Sequence, residues 1–91
     1  MEISKWQEKL GLSHWEIRTE PIDKDQVQYP PDIEEDEKFF VGIKIERDLL
    51  LGIIYHDREL TEEDVVHELL HVKYPEKSEQ QINKLCKKYL K

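Results

Sequence analysis

The pentad His67-Glu68-Leu69-Leu70-His71 is the part of this sequence whose residue types and spacing could carry out chemistry. In a helix, residues four apart lie one turn apart on the same face, so His67 and His71 would point in the same direction. Two neutral imidazoles in that arrangement can bind one Zn²⁺, and a glutamate beside them can take a proton from a water molecule on the metal. Glu68 points about 100° away from His67 around the helix, which favours a role as general base and not as a ligand. The pentad therefore predicts a catalytic metal site.

The segment around the pentad is predicted to form a helix that is not an ordinary surface helix. Thr61 followed by three acidic residues is typical of a helix start, and Pro75 ends the helix soon after Lys73. At about 100° per residue, five apolar side chains cover a very wide arc: Val65, Val66, Leu69, Leu70 and Val72. A solvated helix would carry Glu and Lys on the remaining face, but here that face holds the two histidines and the glutamate. We therefore expect core on one side of this helix and a functional site on the other.

A catalytic zinc ion needs a third protein ligand, and elimination leaves two candidates. The metzincin pattern requires Gly and His at the third and sixth positions after the second histidine, where this chain has Tyr74 and Lys77. The carboxylates further along the chain are Glu76 and Glu79. Glu79 precedes Ile82 by one helical turn on the apolar face of the last helix, where a carboxylate needs a partner such as a metal. Glu79 is therefore the first choice for the third ligand, and Glu76, in the connecting loop, is the second.

The other elements can be placed from hydrophobic periodicity and turn signals. Phe39 to Glu46 alternates, and the β-prone run Leu49–Tyr55 follows after a turn at Arg47-Asp48, which together predict an antiparallel hairpin. The remaining predicted elements are a helix over 2–10, a strand over 14–20, a long acidic loop over 21–38 with a short strand around Val27-Tyr29, and a last helix over 78–91 that opens with a Ser78–Gln81 capping box. This order predicts a single α+β domain over residues 1–91. It consists of an N-terminal helix, a small, mostly antiparallel three-stranded sheet, the pentad helix and a C-terminal helix that carries Glu79.

The composition limits the class of protein. Ninety-one residues suffice for one small domain, and a net charge of −7 argues against nucleic acid as the main partner. No apolar run approaches the roughly 18 residues of a transmembrane helix, and the N-terminal residues do not look like a signal peptide. A single cysteine, Cys86, allows no internal disulfide and is expected in the core. We therefore expect a cytoplasmic protein that binds neither nucleic acid nor a membrane.

The pentad and the later glutamate resemble the gluzincins, a family of HExxH zinc metallopeptidases, and the chain length and element order are closest to the archaeal minigluzincins. The resemblance covers nearly the whole chain, including Leu10-Gly11-Leu12 and Trp15 ahead of the sheet. It implies a minimal zincin-like fold, Zn²⁺ as cofactor, and an endopeptidase that can be latent. It also implies that Glu79 matches the third ligand, although the gap between His71 and Glu79 is shorter than in larger gluzincins.

The predicted function is a zinc-dependent metallopeptidase that hydrolyses peptide bonds through a zinc-bound water activated by Glu68. Its expected partners are peptides or unfolded proteins, and the resemblance is compatible with self-association or autoinhibition. The Leu49–Tyr55 run is the predicted holder of an extended substrate, and Tyr74, Tyr55 and His56 are the candidates for a transition-state donor. The alternative is a protein-binding or regulatory module on a zincin scaffold without peptidase activity, against which the intact Glu68 argues.

Overall fold

The described part of the chain folds into three α-helices and a three-stranded sheet, which confirms the predicted α+β class. The computed structural model describes residues 2–23, 25, 28, 31–32 and 40–91. The elements are α1 (Ile3–Lys9), β1 (Glu16–Pro21), β2 (Val41–Glu46), β3 (Leu51–His56), α2 (Glu62–Lys73) and α3 (Glu79–Tyr89). None of the described helices is both long and apolar enough to cross a bilayer. The predicted strand around Val27 and Tyr29 and most of the acidic loop lie outside the described residues.

The sheet is mixed, with the strand order β1-β3-β2. β2 and β3 form the predicted antiparallel hairpin, joined by a 3₁₀ turn over Arg47–Leu49. β1 instead runs parallel to β3. β3 is therefore the central strand with both edges paired, so the prediction that Leu49–Tyr55 holds an extended substrate is wrong. The outer edge of β2 pairs with no other described strand, which makes β2 the candidate for that role.

The pentad helix α2 begins where the sequence predicts, because side chains close its first turn. The Thr61 hydroxyl accepts a hydrogen bond from the Asp64 backbone N–H at 3.1 Å, and the Asp64 carboxylate accepts one from the Thr61 N–H at 2.9 Å. Arg58 donates two further hydrogen bonds to that carboxylate, at 2.8 and 3.0 Å. Although burial alone would raise it, these hydrogen bonds hold the pKa of Asp64 below its ordinary value. The contacts fix where α2 begins and therefore which way the pentad side chains point.

One face of α2 packs into the core, as its wide apolar arc predicts. Five of its apolar side chains are buried: Val65, Val66, Leu69, Leu70 and Val72. They pack with buried side chains from α1, from the segment ahead of β1 and from α3, namely Trp6, Leu10, Leu12, Trp15, Ile82 and Cys86. At the end of α2, Lys73 Nζ donates a hydrogen bond of 2.6 Å to the Leu10 carbonyl, which ties α2 to the end of α1. The core therefore holds α2 from the side opposite the pentad histidines.

The hairpin turn contains a leucine in the left-handed backbone region. Leu50 has φ 50° and ψ 47°, a conformation that costs an L-residue roughly 1–2 kcal/mol and that Asn adopts more readily. Leu50 is 40% exposed, so the loss of its remaining burial offsets only part of the relieved strain. We expect Leu50→Asn to raise the free energy of unfolding by about 0.5–1 kcal/mol, measured by urea denaturation.

The neighbouring Leu49 provides a matched control for this substitution. Its side chain is 71% exposed and it lies within the right-handed 3₁₀ turn, so Leu49→Asn should give no gain in the free energy of unfolding. An equal gain in both variants would contradict the strain argument, because it would show that reduced surface hydrophobicity alone is responsible.

Candidate metal centre

The two pentad histidines lie side by side on α2, one turn apart. Their Nε2 atoms are 3.3 Å apart and their ring centroids are 4.9 Å apart, and both side chains are half-buried. This arrangement follows from the spacing of His67 and His71 on a regular helix. The structure therefore brings the two predicted histidine ligands together.

Glu79 joins the histidines from α3. The Ser78 hydroxyl accepts a hydrogen bond from the Gln81 backbone N–H at 3.3 Å, and the Gln81 side chain accepts one from the Ser78 N–H at 2.9 Å. This predicted capping box makes Glu79 the first residue of α3. Its Oε1 lies 2.6 Å from His71 Nε2 and 3.3 Å from His67 Nε2. Two helices that are separate in sequence thus contribute to one cluster.

The burial of Glu79 differs from the prediction. The sequence places it on the apolar face of α3, but its side chain is 66% exposed and reaches the histidines from the solvent side. Burial alone would raise its pKa, yet the hydrogen bond with His71 and the proximity of His67 hold the pKa of Glu79 below its ordinary value. Glu76, the second candidate, is exposed and lies outside the cluster. Of the two predicted carboxylates, the structure therefore brings Glu79 to the histidines.

Two of the three spacings between the ligand atoms match those around a tetrahedral metal ion. One atom each from His67, His71 and Glu79 all lie within 4.8 Å of one another. Ligand atoms about 2.0–2.1 Å from a zinc ion at tetrahedral angles are about 3.3–3.4 Å apart. The 3.3 Å between the two Nε2 atoms and the 3.2 Å between His67 Nε2 and Glu79 Oε2 match that separation. The 2.6 Å between His71 Nε2 and Glu79 Oε1 is instead a hydrogen-bond distance. Two imidazoles and a carboxylate are also the donor set of many catalytic zinc sites.

Glu68 lies beside this cluster and lines a cleft between α2 and β2. Its side chain is buried, with 8% exposed, and its Oε1 is 3.8 Å from His67 Nε2. It lines two cavities of about 410 and 190 Å³, and Val41 of β2 lines both of them as well. Burial, reinforced by the charges of Glu79 and Asp64, raises the pKa of Glu68 to about 7. A carboxylate in this position can exchange a proton with water in the cleft.

The raised pKa of Glu68 should make the stability of the metal-free protein depend on pH. Below pH 4.5, the ordinary pKa of the group, Glu68 is protonated in both the folded and the unfolded protein. Between pH 4.5 and about 7 it ionises in the unfolded protein but stays protonated in the folded one, because burial disfavours the ionised form. The folded state therefore loses stability between those values, by at most about 3–4 kcal/mol at about 1.4 kcal/mol per pH unit. With chelator present, we expect Glu68→Gln to be more stable than the wild type at pH 8 and about equal to it at pH 4, measured by urea denaturation. A difference that does not change with pH would contradict this expectation.

The predicted candidates for a transition-state donor, Tyr74, Tyr55 and His56, line neither cavity. The His56 ring instead makes a 2.8 Å hydrogen bond with the Arg58 backbone carbonyl. The larger cavity is lined by Arg47, which the sequence pattern places in a turn. The sequence does contain an indication that Arg47 faces the cavity. Position 47 continues the alternation that places Val41, Ile43 and Ile45 on one face of β2.

Comparisons with protein-family models, with curated proteins and with solved structures yield no significant match to this chain. The resemblance to the gluzincins therefore stays a prediction, which rests on the pentad, the later glutamate and the element order. The structure adds the convergence of Glu79 on the two histidines, a juxtaposition that the order of elements does not require.

Proposed function

We propose that this chain is a zinc-dependent metallopeptidase in which His67, His71 and Glu79 bind the metal and Glu68 is the general base. One observation carries the proposal: Glu79 brings a carboxylate oxygen to 2.6 and 3.3 Å from two imidazole nitrogens that are themselves 3.3 Å apart. A pair of histidines one turn apart can occur by chance on a helix, but a third ligand atom from another helix at this spacing favours a metal site. A cytoplasmic location, which the single cysteine favours, belongs to the same proposal.

Glu68 is the residue that moves protons in this proposal. When bound, zinc would lower the pKa of water to about 7 and polarise a peptide carbonyl. The Glu68 carboxylate takes the proton of the attacking water and later gives it to the leaving amine. Because the side chain is almost fully shielded from bulk solvent, the accepted proton is held close to the reacting atoms between the two transfers.

β2 is the element that would hold the substrate. Its outer edge pairs with no other described strand, and Val41, Gly42, Ile43 and Ile45 line the same cavity as Glu68. An extended peptide can add to such an edge through backbone hydrogen bonds. A segment already engaged in its own secondary structure cannot do so, which makes peptides and unfolded proteins the substrate class.

The alternative, a protein-binding or regulatory module without peptidase activity, would use the same edge strand but has no need of Glu68. A carboxylate buried this deeply destabilises the folded protein when it ionises, and a binding surface gains nothing from it. The deciding experiment compares the hydrolysis of an unfolded protein such as casein by the zinc-loaded wild type and by Glu68→Gln. Equal hydrolysis by both proteins would rule out the proposed mechanism.

A further inference from the structure

Arg47 lines the larger cavity and lies directly after the end of β2. Its Nη1 donates a hydrogen bond of 3.2 Å to the Val72 backbone carbonyl, near the C-terminus of α2. The guanidinium carbon also lies 5.8 Å from the centroid of the Trp15 ring. These two contacts fix the position of the guanidinium close to the helical turn that carries His71.

Most of the hydrogen-bond donors of Arg47 remain available. A guanidinium has about five N–H donors, and Val72 engages one of them. Among the residues that the structure describes, no carboxylate forms an ion pair with Arg47. A planar group with an open edge in a cleft has the geometry that binds a carboxylate through two parallel hydrogen bonds.

The charges on the two sides of Glu68 differ. The smaller cavity is lined by Glu63 and Asp64 and, within the described part of the chain, by no Lys or Arg, whereas the larger cavity contains Arg47. In the larger cavity, Glu79 is engaged with the metal in the proposed function and Glu68 lies at the reacting centre. Of the charged residues that line this cavity, Arg47 is therefore the one that can bind another part of the substrate.

The direction of β2 determines which part of a substrate lies at Arg47. β2 runs from Val41 towards Arg47, so a peptide added in the antiparallel mode has its N-terminal part near Arg47 and its C-terminal part near Val41. Glu68 and Val41 line both cavities, and the larger cavity also contains His71 and extends along β2 to Arg47, which puts the reacting centre opposite the middle of the strand. Arg47 lies six residues after Val41, so from the middle of this span it lies roughly two to four extended residues before the cleaved bond.

We propose that Arg47 determines specificity by binding the side-chain carboxylate of an Asp or Glu roughly two to four residues before the cleaved peptide bond. This inference rests on the proposed peptidase function and adds an acidic substrate preference to it. A charged hydrogen bond of this kind gives a selectivity of roughly tenfold over a neutral side chain.

The test is digestion of a pool of proteome-derived peptides by the zinc-loaded chain, with cleavage sites identified by mass spectrometry. We expect Asp and Glu to be enriched roughly tenfold at one of these positions in the wild-type digest. The enrichment should persist at a lower level in Arg47→Lys, disappear in Arg47→Gln, and be replaced by enrichment of Lys and Arg in Arg47→Glu. Lys84→Glu makes the same change of charge on the exposed side of α3, away from both cavities, and should keep the wild-type preference.

A binding measurement separates recognition from catalysis. In zinc-loaded Glu68→Gln, a fluorescent peptide with the selected acidic residue should bind roughly tenfold more tightly than its Gln counterpart. The difference should vanish when Arg47→Gln is added. If Arg47 served only to engage the Val72 carbonyl, its replacement would lower the melting temperature and weaken the binding of both peptides equally.

Three outcomes would overturn the assignment of Arg47 while leaving the peptidase function intact. They are cleavage without an acidic preference, a preference that is unchanged in Arg47→Gln, and acidic residues enriched only after the cleaved bond. Cleavage no greater than that by Glu68→Gln would instead overturn the proposed function, so the two failures can be told apart.

Discussion

Replacing Glu68 with Gln should reduce peptide hydrolysis by about 10²–10⁴-fold while zinc remains bound. Gln preserves the size of the side chain but cannot take a proton from water, and Glu68 does not belong to the cluster of His67, His71 and Glu79. The turnover number with a fluorogenic peptide, measured together with the zinc content of the same sample by mass spectrometry, separates the loss of the base from the loss of the metal.

Glu76→Gln is the matched control for this experiment. Glu76 is exposed in the connection between α2 and α3 and lines neither cavity, so the same chemical change there should leave turnover unaltered. Two results would contradict the assignment of Glu68 as general base. One is undiminished turnover in Glu68→Gln, and the other is a loss of turnover that is fully explained by a loss of zinc.

Removing a metal ligand should abolish the stabilisation that zinc provides. At a free zinc concentration about 100 times the Kd, the metal stabilises the folded chain by about 2.7 kcal/mol, which raises the Tm of a domain of this size by roughly 10–20 °C. His71→Ala and Glu79→Ala should each lose most of this shift, because either change leaves two ligands from the cluster. Thermal unfolding during a zinc titration, with a chelator-treated reference, measures the effect.

Two controls make this second prediction specific. His14 is an exposed histidine outside the cluster, so His14→Ala should keep the full zinc-dependent shift in Tm. Glu76→Ala should keep it too, because Glu76 lies outside the cluster. A shift that survives in Glu79→Ala but disappears in Glu76→Ala would show that Glu76 is the third ligand.

The helices around the candidate site are predictable from the sequence because their signals are local. Thr61 and Ser78 act as N-caps at the predicted positions, and each accepts a hydrogen bond from a backbone N–H three residues later. The apolar arc of α2 is buried as its width predicts. Capping and helical periodicity act within a few residues, so they can be seen in the chain without knowledge of its neighbours.

The sheet is less predictable because its order depends on contacts between distant segments. The hairpin of β2 and β3 follows from the alternation on either side of one turn, but the parallel pairing of β1 with β3 joins Glu16 to Leu51 across a long intervening segment. That pairing makes β3 central and leaves β2 with the free edge. The position of Arg47 in the cleft likewise depends on Val72 and Trp15, neither of which is its neighbour in sequence.

The sequence by itself determined the pair of histidines one turn apart, the position of Glu68 beside them, and the burial of the helix that carries all three. A helix has a fixed geometry, so residue spacing within it translates directly into side-chain direction. Only the tertiary structure decided that Glu79 and not Glu76 reaches the histidines, and that β2 and Arg47 form the opposite wall of the cleft. These placements depend on how α3 packs against α2 through Ile82 and Cys86 and on how the strands are ordered, and neither is encoded in local spacing.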